Sequence, residues 1–161
     1  MIQQELLLLH SPALLIALPL LAAFITPLVS KSRPWVRNLW VVLALAFTEL
    51  FAAMLYLDVF SGKVHAYRVG AELPGIASSA GFPIRVILVG DALSALVALL
   101  AISISLAAAV YSWKFMQGKE GLEKFYTLLL LLAGSMAGLA LTGDFFTLFV
   151  FFEIMSISSA G

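Results

Sequence analysis

The segment FYTLLLLLAGSMAGLALTGDFFTLFVFFEIMSISSAG, residues 125–161, contains only two charged residues, Asp144 and Glu153. The tripeptide Thr142-Gly143-Asp144 divides this segment into two apolar runs. Each run comes close to the roughly 20 residues that an α-helix needs to cross a lipid bilayer. The segment therefore predicts two transmembrane helices, at about 125–141 and 145–161, that are joined by a tight turn.

The composition of the whole chain agrees with a location in lipid. Of its 161 residues, 63% are hydrophobic and 11% are charged, whereas about a quarter of the residues in a soluble domain are charged. The formal net charge of +0 argues against a nucleic-acid partner. Cysteine is absent, so the sequence offers no disulfide framework, thiolate metal site or iron–sulfur cluster, and we predict no bound metal or cofactor.

Three further apolar runs, at about 12–29, 35–60 and 91–113, bring the prediction to about five helices in a single transmembrane domain. The predicted fold class is an all-α, polytopic transmembrane helix bundle. The fifth run reaches Gly161 without an interfacial anchor. We therefore expect the last helix to be incomplete and the chain to be a piece of a longer protein or of a split subunit.

The predicted outer loop covers residues 61–90 and is rich in glycine and proline. Within it, 64–69 and 83–89 alternate loosely between apolar and polar residues, which is typical of a short surface hairpin. His10 precedes the first predicted helix and is expected to be solvated.

Lysine and arginine residues are distributed unevenly between the two sides of the predicted bundle. With the N-terminus outside, the inner loops hold Lys31, Arg33, Arg37, Lys114, Lys119 and Lys124. The outer side then holds Lys63, Arg68 and Arg85. Short cytoplasmic loops attract the basic excess, so this distribution predicts an outer N-terminus in the cytoplasmic membrane.

Small and weakly polar residues recur on one face of several predicted helices, as expected where helices pack closely in lipid. On the third helix they are Asp91, Ser94, Ala98, Ala101, Ser105, Ala108 and Ser112. The second helix presents Ala46, Glu49, Ala53 and Tyr56, and the fourth presents Gly134 and Gly138. These faces predict a packed bundle.

Two glutamates fall inside predicted helices, where a charged side chain costs at least roughly 2.5–3.5 kcal/mol on insertion. Glu153 lies nine residues beyond Asp144, or roughly 13 Å along a helix, and Glu49 lies twelve residues beyond Arg37, or roughly 18 Å. Both therefore lie near the middle of the bilayer and must face protein or water. Whether the second helix brings Glu49 near Glu153 is open.

Two interpretations of these glutamates remain open. A protonated carboxyl group can tie two helices together through one hydrogen bond, or it can relay protons when a neighbouring cation approaches and leaves. Ser156, one turn beyond Glu153, is placed to bind that carboxyl group or a water molecule. The predicted ion-translocation residues are thus Glu153, Glu49 and Ser156.

Asp91 and Asp144 stand at the outer starts of two predicted helices, where a carboxylate accepts hydrogen bonds from free N–H groups. Helix capping is the interpretation that we favour for both. The sequence contains no nucleophile–base pair, phosphate-binding loop or metal-ligand spacing, so a membrane enzyme acting on lipid is disfavoured.

Several motifs together resemble a known family. They are Gly90-Asp91-Ala92-Leu93-Ser94, Val110-Tyr111-Ser112, Phe125-Tyr126, Gly134-Ser135-Met136-Ala137-Gly138 and the long run from Thr142 to Ser156. The chain resembles the N-terminal part of an antiporter-like subunit. Such subunits occur in respiratory complex I, in multisubunit sodium/proton antiporters, and in related membrane-bound hydrogenases and sulfane reductases.

The resemblance implies a proton- or sodium/proton-translocating subunit whose partners are other membrane subunits, including other antiporter-like subunits, and the lipid bilayer. In that family the glutamate that matches Glu153 pairs with a lysine two helices later, and no residue of this sequence matches that lysine. Any redox centres would lie in partner subunits, so this chain itself would be non-catalytic. The alternative is a truncated, non-conducting subunit that scaffolds the complex.

Overall fold

The computed structural model describes residues 2–31, 33–62, 64–69 and 86–161. Within these residues it contains five helices and two strands. The helices are α1 (Ile2–Val29), α2 (Pro34–Phe60), α3 (Ala92–Phe115), α4 (Leu122–Leu141) and α5 (Phe145–Ala160), and the strands are β1 (His65–Val69) and β2 (Val86–Gly90).

Four of the helices form a ring, in which each packs against two neighbours in the order α1, α2, α3, α4 and back to α1. The fifth, α5, lies outside this ring and packs mainly on α4. Four described helices are long and apolar enough to cross a membrane, whereas α5 has 16 residues. The protein is thus an all-α, multi-pass membrane protein.

Helix α1 begins at Ile2, ten residues earlier than predicted. The prediction began the first apolar run at about Pro12. In the structure Pro12, Pro19 and Pro27 all lie inside the helix. Leu6–Leu9 are strong helix formers, and a proline in an otherwise apolar helix removes one backbone hydrogen bond without ending the helix here.

The hairpin that the alternation predicted is present. Strands β1 and β2 pair antiparallel, with His65 opposite Gly90 and Val69 opposite Val86. The hairpin contacts α1 and lies at the end of the bundle where α4 ends and α5 begins. Residues 70–85 of the predicted outer loop lie outside the described residues.

The link between α4 and α5 is joined to this hairpin by backbone contacts at Thr142 and Gly143. Leu88 and Thr142 form an isolated antiparallel bridge, and the Gly143 N–H donates to the Ile87 carbonyl oxygen at 2.7 Å. A β-carbon at Gly143 would lie 2.7 Å from the Val89 side chain, so glycine permits this close approach. The hairpin therefore fixes the point at which α5 starts.

The buried faces of α2 and α3 differ in how well the sequence predicted them. On α3, Ala98, Ser105 and Ser112 are buried as predicted, whereas Asp91 is exposed. On α2, the predicted face is rotated by about one residue, because α2 packs against both α1 and α3. Its buried residues are Arg37, Asn38, Val41, Leu45, Thr48, Ala52, Leu55 and Val59.

Candidate ion-translocation site

Helix α5 is positioned by its N-terminal cap and by α4. Asp144 precedes the helix in an extended conformation, and its Oδ1 accepts a hydrogen bond from the Thr147 N–H at 2.7 Å. Thr147, Phe151 and Ser158 form the buried stripe of the helix. The Phe151 ring lies against Gly138 of α4, where even a β-carbon would come within 2.6 Å of the ring. This contact fixes which side of α5 faces α4.

Glu153 and Ser156 lie on the opposite side of α5. A helix turns about 100° per residue, which places both residues away from the buried stripe, and both are exposed in the structure. The two share a face, but no hydrogen bond joins the Ser156 hydroxyl to the Glu153 carboxyl group. Large apolar side chains are exposed around them, among them Phe149, Phe152 and Ile157.

Glu153 lies nine residues beyond the cap of α5, which is roughly 13 Å along a helix axis. This is near the middle of a hydrocarbon core about 30 Å thick. A carboxylate on an apolar surface at that depth is costly when it faces lipid. The exposed face of α5 therefore has the character of a contact surface for further protein or water.

Glu49 occupies a different environment, between α2 and α3. Its Oε1 accepts a hydrogen bond from the Ser103 hydroxyl at 2.6 Å, while that hydroxyl lies 2.8 Å from the Leu99 carbonyl oxygen. The other oxygen of Glu49, Oε2, is buried and has no hydrogen-bond partner among the described residues. Glu49 is thus half-buried and held by one side chain.

The Glu49–Ser103 pair fits two protonation states. A serine hydroxyl carries one hydrogen. When Glu49 is ionised, that hydrogen goes to the carboxylate. When Glu49 is protonated, the carboxyl group donates to Ser103 and Ser103 donates to the Leu99 carbonyl. Neither state requires the heavy atoms to move.

The structure places the two glutamates at separate sites. Helix α2 packs on α1 and α3, whereas α5 packs on α4 and contacts the hairpin. Glu49 faces α3 through Ser103, and Glu153 faces outward from the far side of α4. The described residues contain no group of three His, Cys, Asp or Glu side chains that could hold a metal ion.

The two carboxylates at helix starts cap their helices, and Asp144 does more. Its Oδ2 accepts a hydrogen bond from the Ile87 N–H at 3.0 Å, so this side chain joins β2 to α5. Burial by itself would raise the pKa of Asp144, but the N–H groups of Thr147 and Ile87 outweigh it and hold the pKa below its ordinary value.

Asp91 caps α3 through a reciprocal pair of hydrogen bonds. Its Oδ1 accepts from the Ser94 N–H at 2.7 Å, and the Asp91 N–H donates to the Ser94 hydroxyl at 2.8 Å. The N–H and the hydroxyl of Ser94 lower the pKa of Asp91. The Ser94 hydroxyl also lies 3.1 Å from the Val89 carbonyl oxygen, so this cap contacts the end of β2.

Sequence reasoning missed two side-chain pairs at the hairpin end of the bundle. The last turn of α2 carries Asp58, whose carboxyl group contacts Nε2 of His65 in β1. His10, which was expected to be solvated, instead lies 3.0 Å from the Tyr67 hydroxyl through its Nδ1. The alternating stretch that predicted β1 contains both His65 and Tyr67, and this was the available signal.

A third missed feature lies at the other end of the bundle. Arg37 was counted with the basic residues of an inner loop, at the start of the predicted second helix, yet only 6% of it is exposed. It stands four and eight residues before Val41 and Leu45, which are both buried. Helical periodicity would therefore have placed Arg37 on the buried stripe of α2.

Comparison with known proteins relates this chain to a family of membrane subunits. A sequence profile described as "NADH-Ubiquinone oxidoreductase (complex I), chain 5 N-terminus" matches residues 76–126. NADH-quinone oxidoreductase subunit N of Desulforudis audaxviator is 32% identical over 153 residues, which are 93% of this chain and 29% of that protein. An Na(+)/H(+) antiporter subunit of Alkalihalophilus pseudofirmus is 32% identical over 145 residues, which are 88% of this chain and 17% of that protein.

Solved structures agree. A chain in the membrane-bound sulfane sulfur reductase, an archaeal respiratory membrane complex, matches 92% of this chain with a TM-score of 0.78 and 32% identity. The matched part is 29% of that chain, so the present chain spans less than a third of the length of these relatives. The chain belongs to the family of antiporter-like membrane subunits that complex I, multisubunit Na⁺/H⁺ antiporters and the membrane-bound sulfane reductase share.

Proposed function

We propose that this chain is an ion-translocating subunit, of the proton or Na⁺/H⁺ antiporter-like type, in a multi-subunit redox or antiporter complex of the cytoplasmic membrane. One observation carries the proposal: Glu153 lies nine residues into the apolar helix α5, on the face that the other four helices leave uncovered. The relatives named as subunits of membrane complexes support the assignment to an assembly. Basic residues in the short loops favour an outer N-terminus.

The proposed role of Glu153 is electrostatic. A positive charge beside a buried carboxyl group favours its ionised form, and withdrawal of that charge favours uptake of a proton. The family resemblance implies that a lysine on a later helix supplies this charge. Ser156, one turn further along the same face, is placed to hold a water molecule for the proton, and Glu49 with Ser103 forms a second proton-binding group.

A non-conducting, scaffolding subunit is the second candidate. It is favoured by the surroundings of Glu153, since no ion pair joins this residue to any Lys or Arg that the structure describes. In that case α5 would present its apolar face to neighbouring subunits and Glu153 would remain protonated. The two candidates differ in whether the charge of Glu153 matters for ion movement.

Glu153→Gln separates the two candidates, because glutamine keeps the shape of the side chain and cannot ionise. The complex is purified with its native partners and reconstituted into vesicles, and proton movement is followed with a pH-sensitive dye and sodium movement with a radioactive tracer. For a translocating subunit we expect loss of about 100-fold in coupled ion movement. Whether the variant loses the dye signal, the sodium tracer signal or both identifies the transported ion.

The matched control is Glu120→Gln, which removes the same charge from the exposed turn between α3 and α4. It is expected to translocate ions at the wild-type rate. A Glu153→Gln complex that assembles normally and moves ions as fast as this control would contradict the proposed function and support the scaffold.

A further inference from the structure

Within the part of the chain that the structure describes, Arg37 is a buried cation without an anionic partner. It lies in the first turn of α2, and no carboxylate among the described residues forms an ion pair with it. Its Nε and Nη2 donate to Asn38 Oδ1 at 3.2 and 3.1 Å, and its Nη1 lies 3.5 Å from the Ser30 hydroxyl. The guanidinium carbon stands 5.3 Å from the centre of the Tyr126 ring.

These neutral contacts orient the guanidinium without neutralising it. An arginine side chain carries five N–H donors, and the contacts within the chain engage three of them. Taking an unneutralised charge out of water carries an effective penalty of several kcal/mol. A second ligand that is negatively charged and accepts the remaining donors would offset that penalty.

A cavity of about 530 Å³ adjoins Arg37 at this end of the bundle. It opens between the start of α2 and the connection from α3 to α4. Its walls combine polar groups with three aromatic residues of the kind that lie at membrane interfaces. The residues that matter are Trp35, Arg37, Asn38, Ser112, Trp113 and Lys119.

The charges around the cavity have one predominant sign. Residues 31–37 and 114–124 together contain six lysine or arginine residues and two glutamates. The first turn of α2 contains no acidic residue, and no side chain caps its N-terminus. Lys119, whose ammonium group lies over the Phe115 ring, is the second cation of the cavity wall. The cavity therefore attracts an anion.

We propose that this cavity binds the phosphate of an anionic phospholipid head group. The guanidinium of Arg37 would donate to two phosphate oxygens, and Lys119 would add a second positive charge. Trp35 and Trp113 would flank the glycerol part, since tryptophan prefers the interfacial region of the bilayer. The site lies at the end of the bundle opposite the hairpin, its lining includes no residue of α5, and it does not depend on ion translocation.

Native mass spectrometry of the purified complex tests the proposal. The complex is exchanged into detergent with either phosphatidylglycerol or phosphatidylcholine, and retained lipid is counted. We expect the wild type to retain one phosphatidylglycerol at least about tenfold more strongly than phosphatidylcholine, and Arg37→Gln to lose about tenfold of that retention. Arg33→Gln is the matched control, because it removes an exposed charge four residues earlier and should change retention less than about twofold.

Two further variants keep the test valid if Arg37→Gln fails to assemble. Arg37→Lys retains the charge but loses the forked donor geometry, and Lys119→Gln removes the second cation; each should lower retention by about threefold. Equal retention of the two lipids by the wild type, or equal retention by the Arg37 and Arg33 variants, would overturn the proposal. So would full thermal stabilisation of lipid-free complex by inorganic phosphate, because the site would then take a free anion.

Discussion

The two membrane glutamates of this chain lie at similar depths and have opposite surroundings. Glu49 sits between two helices and has Ser103 as a partner within the chain. Glu153 lies on an outer face among exposed phenylalanine residues and has no hydrogen-bond partner among the described residues. The comparison teaches that depth alone identifies a candidate proton site, whereas the neighbouring helices decide whether that site is complete within this chain.

Helix α4 separates the two environments, and its two glycines face different neighbours. A β-carbon at Gly134 would lie 3.1 Å from Leu20 of α1, inside the ring of four helices. A β-carbon at Gly138 would lie 2.6 Å from Phe151 of α5, outside that ring. The packing around Glu49 therefore depends on contacts within the ring of four helices. The position of Glu153 depends instead on one close contact between α4 and α5.

The largest effect on stability should come from breaking that contact. Gly138→Ala places a methyl group against the Phe151 ring, and we expect it to lower the free energy of unfolding by about 2 kcal/mol. Thermal melting of the purified complex measures this. Gly134→Ala is the matched control and should cost less, because Leu20 needs to move by only a few tenths of an ångström. Equal losses from both variants would mean that α5 is not held by this contact.

Removal of the partner of Glu49 should have the next largest effect. Ser103→Ala leaves both oxygens of a half-buried carboxyl group without a hydrogen bond, and it should cost about 1.5 kcal/mol. A double-mutant cycle with Glu49→Gln, read from melting curves, isolates the pairwise energy. A cycle with no coupling between residues 49 and 103 would show that the pair does not form in the complex.

Asp144 offers a smaller effect that depends on pH. Asp144→Asn removes the carboxylate that joins Ile87 to Thr147, and we expect a loss of about 1 kcal/mol at neutral pH. Because folding lowers the pKa of Asp144, its stabilising contribution is present above about pH 4 and is lost as the pH falls through the folded pKa. Melting temperatures of wild type and variant should therefore converge below about pH 4. A constant gap between pH 7 and 3 would contradict this.

The smallest effect on stability should come from Ser156→Ala. This variant removes the serine hydroxyl near Glu153, just as Ser103→Ala removes the serine hydroxyl near Glu49. Ser156 is exposed and its hydroxyl bonds to no described residue, so the free energy of unfolding should change by less than about 0.5 kcal/mol. Melting and ion movement are measured in the same preparation. A loss as large as that of Ser103→Ala would erase the contrast between the two glutamates.

Much of the fold was predictable from the sequence, since apolar runs report membrane spans directly. Asp91 and Asp144 cap helices as predicted, and the alternating stretches form the hairpin. The bond from Ile87 to Asp144 was not predictable, because it joins residues 57 positions apart. Local sequence carries no signal for such a contact.

The candidate site was predictable in part. The depths of Glu49 and Glu153 follow from the helical rise, which depends only on sequence position. The Ser103 partner of Glu49 depends on the rotation of α3 against α2, and the predicted face of α2 was off by about one residue. Arg37 was counted with the basic residues of an inner loop, at the start of the predicted second helix, and the stripe that includes Val41 and Leu45 was not extended back to it.

The three-residue link between α4 and α5 has a consequence for how the chain enters the membrane. Helix α5 carries a carboxyl group nine residues after its cap, within an apolar run, and this group disfavours insertion of the helix by itself. Because the link has only three residues, α5 must stay close to α4 during insertion. We expect the two helices to insert as one helical hairpin, with the contact between Gly138 and Phe151 forming during biosynthesis. The three-residue link between α4 and α5 thus affects how the protein assembles as well as its final structure.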